Sequence, residues 1–240
     1  MKIITAVFDY PGENEYSRCL AALEQSVKDT NPEAEFIAIR LDPPSECYKW
    51  NKPGWHNNHI KLMAYAEELI TEPTFFVDAD TIIQRDLSDL VGDFDIAIAE
   101  RPAGANAPFN LGVVLVMPTV RSEFFMDAWA RTDTKMLEDY DFHMEWRRKY
   151  SGQNQSSFGY LYETIEPGKI DIKKYPTNIM NACEQDWTKS EISYIIHIKT
   201  RLREAALSDK PLSKIKPGLR KPVETWRKYE QKAIDSIGLV

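Results

Sequence analysis

The first forty residues show the hydrophobic pattern of a strand, a helix and a second strand. Residues 3–8 form a short apolar run rich in β-branched side chains, and the turn sequence DYPG that follows indicates a buried strand ending there. Apolar residues then recur at helical spacing over residues 15–28, and residues 36–41 (FIAIRL) predict another strand before two prolines. This β-α-β order predicts a parallel sheet with a right-handed crossover.

The rest of the chain repeats this alternation of apolar strands and amphipathic helices. Residues 74–83 (TFFVDADTII) give the strongest strand signal, although two carboxylates interrupt the run. The pattern also predicts strands over 94–99, 109–117 and 192–198, helices over 60–70, 122–131, 139–149 and 226–237, a helix or strand over 153–163, a loop over 46–59, and breaks at Pro211, Pro217 and Pro222. The sequence therefore predicts an α/β protein with a mixed, mostly parallel central sheet flanked by helices.

Length and composition limit the class of protein. The chain has 240 residues, of which 43% are hydrophobic and 28% are charged, and these values exclude a disordered or low-complexity chain. We expect a single-domain body over residues 1–203 and a basic, helical C-terminal extension over residues 204–240.

The net charge of −7 hides an uneven distribution of charge. Residues 199–232 contain eleven Lys or Arg and four Asp or Glu, so this stretch carries about +7 while the rest carries about −14. A phosphate-rich ligand or an anionic surface would account for such a basic stretch. The alternative is a solvated tail whose cations pair with the acidic body.

The cysteines and the apolar runs bear on the compartment. Cys19, Cys47 and Cys183 are odd in number and have no C-x-x-C spacing, which argues against a disulfide framework or a structural zinc site and favours a reducing compartment. The sequence has neither a typical secretory leader nor an apolar run near the roughly 20 residues that span a bilayer. We therefore expect a cytoplasmic protein without a transmembrane segment.

Two carboxylates follow a strongly apolar strand. Asp78 and Asp80 come directly after Phe75-Phe76-Val77, and residues two apart at the end of a strand point to the same side. Leaving both charged at the edge of a core is costly unless a cation compensates, and such oxygen ligands suit Mg²⁺ or Mn²⁺. The carboxyl ends of parallel strands are also where open α/β sheets bind ligands. The alternative is a solvated acidic turn.

These segments resemble a known group of enzymes. FFVDADTII is similar to the DxD segment of GT-A-fold glycosyltransferases, which use a nucleotide-sugar donor and a divalent metal. FNLGVVLVM, residues 109–117, resembles the F-N-[SA]-G-V segment of glycosyltransferase family 8, the glycogenin and lipopolysaccharide galactosyltransferase-like group. The resemblance covers roughly residues 1–199 and implies a Rossmann-like GT-A fold. It also implies that Asn110 lines the sugar and acceptor pocket.

A later polar pair matches another family segment. Asn154 and Gln155 stand where the family carries an Asp-Gln or Asn-Gln pair, which lies beneath the anomeric carbon in retaining members. An amide can hydrogen-bond the sugar or stabilise an oxocarbenium-like centre, but it cannot be a strong nucleophile. This pair therefore suits a front-face mechanism in which the leaving phosphate deprotonates the acceptor. The alternative is a polar helix N-terminus.

The resemblance places a metal-binding histidine at the end of a late strand. His197, inside the run YIIHI, would complete the metal site with Asp78 and Asp80, whereas without that context it reads as a core histidine. The family continues His-x-x-Gly-x-x-Lys-Pro-Trp, but here the glycine and the Lys-Pro-Trp are missing and Arg203 stands at the lysine position. Lys199, Arg201 and Arg203 are then candidates to stabilise a departing nucleoside diphosphate.

The resemblance also implies residues that contact the nucleotide. Asp9 would accept a hydrogen bond from the base, Tyr10 would stack on it, and Lys61 would approach the donor. An ordinary turn and a solvated helix lysine are the alternative explanations.

The sequence thus predicts a glycosyltransferase that uses Mn²⁺ or Mg²⁺ and a nucleotide sugar, UDP-linked, and that retains the configuration of the transferred sugar. The acceptor, whether a sugar, a lipid-linked molecule or a protein, is left open. A nucleotidyltransferase would also use paired aspartates, but it usually has a Gly-rich phosphate loop. A non-catalytic binding protein of the same fold is a third class. Nucleic-acid binding through the basic tail is disfavoured because the acidic body would repel DNA.

Overall fold

The computed structural model describes residues 1–8, 10, 12, 14–44, 53–105 and 107–237, except for the side chains of residues 53 and 237. The predicted nucleotide-binding residue Asp9 and the thiol of Cys47 lie outside these residues, as do residues 46–52 of the predicted loop.

The strands form two sheets. The described residues contain β1 (Lys2–Phe8), β2 (Glu35–Leu41), β3 (Thr74–Asp78), β4 (Thr81–Ile83), β5 (Ile96–Glu100), β6 (Phe109–Val116), β7 (Ile172–Pro176), β8 (Asn181–Ala182) and β9 (Ile195–His197). The large sheet has the order β2-β1-β3-β6-β5-β7, and the small one has the order β4-β9-β8. In the large sheet β6 alone runs antiparallel to its neighbours. The predicted mixed, mostly parallel central sheet is confirmed.

Helices pack around the two sheets. They are α1 (Glu15–Thr30), α2 (Pro53–Ala66), α3 (Val120–Glu138), α4 (Tyr140–Tyr150), α5 (Gln153–Thr164), α6 (Thr177–Met180), α7 (Arg201–Leu207) and α8 (Pro217–Ile237). Within the described part of the chain, no helix combines the length and the apolar character needed to cross a bilayer.

Successive residues of the central strands supply two hydrophobic cores. Ile4 and Phe76, neighbours in register on β1 and β3, belong to the core that contains Phe158 of α5. Ile3 and Phe75 belong to the core on the other face, against α1. Because side chains alternate between the faces of a strand, these apolar runs bury both faces, as is typical of parallel sheets.

The prediction of one continuous strand over residues 74–83 is wrong. β3 ends at Asp78, the chain turns at Ala79 and Asp80, and β4 then joins the small sheet. Apolar residues on both sides of the turn hide it in the sequence, because each half fills a different core. The change of sheet pairs Thr81 with His197 of β9, which places His197 beside the two aspartates.

Two predictions of irregular structure also differ from the molecule. The predicted loop over residues 46–59 is helical from Pro53 onward, since proline is well accommodated in the first turn of a helix. Pro222, predicted to break the chain, lies inside α8. That helix buries Val223 and Trp226 in a core shared with Ile82 and Ile196, and this packing outweighs the backbone hydrogen bond that proline cannot donate.

Part of the basic C-terminal stretch has a structural role. The Arg227 guanidinium donates hydrogen bonds to the carbonyl oxygens of Ala206 at the end of α7 and Lys210 just beyond it, and Arg220 donates to the carbonyl of Ile215. Lys232 forms an ion pair with Asp29 of α1. Several cations thus bind carbonyl oxygens near helix ends or pair with acidic residues. The predicted boundary at residue 203 falls inside α7 and stays a prediction.

Gly159 provides a test of the packing between α4 and α5. A methyl group there would lie 2.3 Å from the ring of Tyr150, so we expect Gly159→Ala to lower the free energy of unfolding by about 1–3 kcal/mol, measured by urea denaturation. In a Tyr150→Ala background the same change should cost nothing. Equal losses in both backgrounds would contradict this account of the packing.

Candidate active site

A cleft of about 440 Å³ opens at the edge of the large sheet where β1 and β3 end. The N-terminal turn of α5, the start of β6 and part of α2 complete its walls. The structure brings nine of the predicted site residues into this one cleft: Tyr10, Lys61, Asp78, Asp80, Asn110, Asn154, Gln155, His197 and Lys199. Arg203 is outside the lining and lies behind Asp80.

Asp78, Asp80 and His197 converge on one point of the cleft. His197 Nε2 lies 3.2 Å from Asp80 Oδ1 and 3.5 Å from Asp78 Oδ2. One ligand atom from each of the three residues lies within 4.8 Å of the others, and Asp80 and His197 are buried. Two carboxylates and one imidazole at this spacing fit a divalent cation.

Gly112 lets these side chains approach β6. A methyl group on Gly112 would lie 2.4 Å from His197 Cε1 and 2.7 Å from Asp78 Oδ2. Asn110, two residues earlier, accepts a hydrogen bond from the Gly112 N–H at 3.0 Å. Both residues of the N-x-G motif are therefore explained by local packing and hydrogen bonding. Gly112 lines the cleft and was not singled out from the sequence, although the motif contains it.

Two cations hold the aspartates. Lys61 Nζ donates a hydrogen bond to Asp78, and Arg203 Nη1 lies 3.2 Å from Asp80 Oδ2. Burial raises the pKa of Asp80, but the charges of His197 and Arg203 outweigh burial, so the pKa is lowered overall. Burial lowers the pKa of Lys61, but the neighbouring charges, of which that of Asp78 is the largest, and the hydrogen bond to Asp78 together raise it by more, so the pKa is raised overall. Asp80 is therefore ionised, and Lys61 remains charged, at neutral pH.

The first turn of α5 contributes the amide side chains. Asn154 Nδ2 donates to the carbonyl of Asn58 at 2.9 Å, whereas Asn154 Oδ1 is buried with no hydrogen-bond partner among the described residues. Gln155 Nε2 donates to the carbonyl of Ser151 at 2.7 Å. Both residues border the cleft, as the family resemblance implies, and their roles there stay predictions.

A buried polar network fixes that turn against α2 and α3. Asp133 is fully buried and binds His59 Nδ1 at 3.0 Å and the hydroxyl of Ser157 at 2.5 Å. Gln153 donates to the Asp133 carbonyl, and Trp129 donates to Ser157. Because Asp133, Gln153 and Ser157 are buried, the network holds the cleft-lining amides in place.

The predicted nucleotide and phosphate residues are more dispersed. The Tyr10 hydroxyl accepts a hydrogen bond from Asn57 Nδ2 at 2.6 Å. Lys199 lies 3.2 Å from Glu184 Oε1, whereas Arg201 is exposed over the ring of Trp187. Of the three cations predicted after His197, Lys199 alone lines the cleft.

The chain is similar to known proteins in its structure and not in its sequence. No protein-family model and no curated protein matches the sequence. The structure resembles a glycosyltransferase involved in the glycosylation of the major capsid of PBCV-1, with a TM-score of 0.60 and 12% identity over 93% of this chain and 98% of that one. It also resembles the galactosyltransferase LgtC in complex with donor and acceptor sugar analogs, with a TM-score of 0.59 and 12% identity over 97% and 96% of the two chains.

A third similar structure is the glycosyltransferase GlyE of Streptococcus pneumoniae TIGR4, with a TM-score of 0.61 and 14% identity. The match covers 98% of this chain and 63% of GlyE, so the chain spans just under two thirds of that protein. These likenesses confirm the predicted GT-A fold. At such low identity they concern the fold alone.

Thr200 provides a test of the backbone between His197 and α7. Its φ of 50° and ψ of −130° favour glycine, the residue that the family carries at this position. We expect Thr200→Gly to raise the free energy of unfolding by about 1 kcal/mol, because relief of strain exceeds the added chain entropy. Thr200→Ala keeps the strain and should give no gain. A loss of stability in Thr200→Gly would contradict this description.

Gly112→Ala tests the close approach of β6 to the metal-ligand group, which consists of Asp78, Asp80 and His197. Because the new methyl group overlaps His197 and Asp78, we expect Mn²⁺ affinity to fall at least about ten-fold, measured by calorimetric titration. Gly54→Ala is the matched control, since Gly54 lines the same cleft and has open space around it. Wild-type affinity in Gly112→Ala would contradict the assignment.

Proposed function

We propose that the protein is a metal-dependent glycosyltransferase that transfers a sugar from a UDP-sugar with retention of configuration. One observation carries the proposal: Asp78, Asp80 and His197 converge inside the cleft at the ligand-binding edge of a GT-A fold. The solved structure of LgtC, which has the same fold, contains donor and acceptor sugar analogs. That likeness supports the assignment of this cleft to a nucleotide sugar.

The donor would lie along the edge of the sheet. Tyr10, at the end of β1, borders the part of the cleft assigned to the nucleobase, and Asp9 is its proposed partner from sequence. Asp78, Asp80 and His197 would hold Mn²⁺ or Mg²⁺, which supplies positive charge for the diphosphate when it is bound. Lys199, two residues after His197, adds a cation to the lining of the cleft.

The chemistry of the lining supports retention by a front-face mechanism. Among the described cleft-lining residues, the carboxylates are Asp78 and Asp80, and both belong to the metal-ligand group. The amides of Asn110, Asn154 and Gln155 also line the cleft and are the groups proposed to face the sugar. Because amides neither attack carbon readily nor accept a proton, the leaving phosphate is the proposed base for the acceptor hydroxyl.

The donor and the metal are tested together. The protein is incubated with a panel of UDP-sugars and other nucleotide sugars in Mn²⁺, Mg²⁺ or EDTA, and release of the nucleoside diphosphate is measured. We expect UDP release that requires the metal. Asp80→Asn should lower the rate of UDP release at least about 100-fold. Mutation of residues that only contact metal ligands typically costs about 10–100-fold in activity, and loss of a direct ligand should cost more. Asp93→Asn, an exposed aspartate, is the control and should behave as wild type.

The alternatives give different results in the same assay. Pyrophosphate release from nucleoside triphosphates would favour a nucleotidyltransferase. Tight, metal-dependent binding of a UDP-sugar without turnover in the presence of acceptors would favour a non-catalytic binding protein. Absence of binding to any nucleotide sugar, with equal metal affinity in wild type and Asp80→Asn, would overturn the proposal.

A further inference from the structure

Arg101 is a cation in the cleft that the proposed donor chemistry does not use. It follows the last residue of β5, and its Nε is buried with no hydrogen-bond partner among the described residues. In the part of the chain that the structure describes, the other two cations that line the cleft are already held, Lys61 by Asp78 and Lys199 by Glu184. A buried charged donor without an acceptor in the protein is costly, and a ligand that brings an acceptor removes that cost.

Arg101 and Lys199 are two cations that act on one carboxylate, Glu184. Burial raises the pKa of Glu184, but the charges of Lys199 and Arg101 help to hold it below its ordinary value. One carboxylate therefore serves two cations, and Lys199 makes the direct contact with it, at 3.2 Å. The guanidinium of Arg101 retains donors for an anion from outside the protein.

The order of the strands places Arg101 away from the nucleotide. Along the large sheet, β1 carries the proposed base site, β3 carries Asp78, β6 carries Asn110 and Gly112, and β5 ends beside Arg101. Arg101 is therefore on the opposite side of the metal-ligand group from Tyr10. That side is where the sugar leaves the donor and meets its acceptor, if the proposed function holds.

A second cleft, of about 620 Å³, begins at Arg101. It lies between the ends of β5 and β7, and Arg101 lines both clefts. Proline, alanine and glycine form most of its wall, together with Thr177 and Asn178. Its carboxylate, Glu100, is neutralised by Lys174 at 2.8 Å. The described lining thus offers small apolar surfaces and one unpaired cation, a surface that suits a sugar ring with an anionic substituent.

We propose that Arg101 binds a carboxylate or phosphate group on the acceptor and that the acceptor is an anionic saccharide extending into the second cleft. The identification of this saccharide as the acceptor rests on the proposed glycosyltransferase function, whereas the anion site rests on Arg101 and the two clefts. A guanidinium matches both oxyanions because its planar donors can bind two oxygens at once. A neutral saccharide leaves these donors unpaired and binds less tightly.

Three matched glycosides test the proposal without turnover. Methyl glucoside, methyl glucuronide and methyl glucoside 6-phosphate differ at carbon 6 and are titrated in EDTA while protein NMR signals are followed. We expect one charged glycoside to bind at least about ten-fold more tightly than the neutral one. The stronger of the two identifies carboxylate or phosphate. Arg101→Gln should abolish the preference, and Arg101→Lys should keep part of it.

The controls separate this inference from the proposed function. Arg148→Gln, an exposed arginine on α4, should keep the preference, and circular dichroism shows whether Arg101→Gln is folded. The inference would be overturned if neither charged glycoside bound detectably, or if folded Arg101→Gln kept the preference unchanged. It would also be overturned if UDP, added together with Mn²⁺, displaced the bound glycoside. If Arg101 confers the preference but no nucleotide sugar is bound or turned over, the anion site stands and the glycosyltransferase function fails.

Discussion

The pairing of Thr81 with His197 is the contact on which the rest of the site depends. It forms because the chain leaves the large sheet after Asp78 and enters a small antiparallel pair with β9. This turn sets two carboxylates and an imidazole at the ligand-binding edge of the fold. Such a concentration of buried polar groups is stable only when cations and close packing support it.

The neighbouring residues meet that requirement in different ways. Lys61 and Arg203 place a positive charge beside each aspartate, and Asp80, whose pKa is lowered, remains ionised although it is buried. Gly112 removes the side chain that would otherwise collide with His197. The network around Asp133 holds the amides of α5 at the other wall of the cleft. Charge, space and position are thus supplied by four separate elements of the fold.

The sequence pattern was sufficient for most of the strands and for the aspartate pair, because these have a strong local signal, whereas the late histidine was singled out by the family resemblance. The pattern failed where the outcome depends on tertiary packing. Residues 74–83 read as one strand because apolar runs fill both cores, and Pro222 is tolerated in α8 because Trp226 anchors that helix. Arg101 had no local signal at all, since its significance comes from two clefts that meet only in the folded chain.

The basic C-terminal stretch divides into parts with different roles. Lys199 faces the cleft and Arg203 supports Asp80, while Arg220 and Arg227 bind carbonyl oxygens near helix ends. Part of the local excess of positive charge is therefore structural, and a smaller part is directed at the site.

Under the proposed function, Asp78, Asp80 and His197 hold the divalent cation that binds the donor diphosphate. A crystal structure with Mn²⁺ and UDP tests it most directly, through the anomalous signal of manganese. The account predicts one peak within about 2.5 Å of the carboxylate oxygens and the His197 imidazole, in contact with the diphosphate. A manganese peak elsewhere, or UDP bound with no manganese at these three side chains, would contradict it.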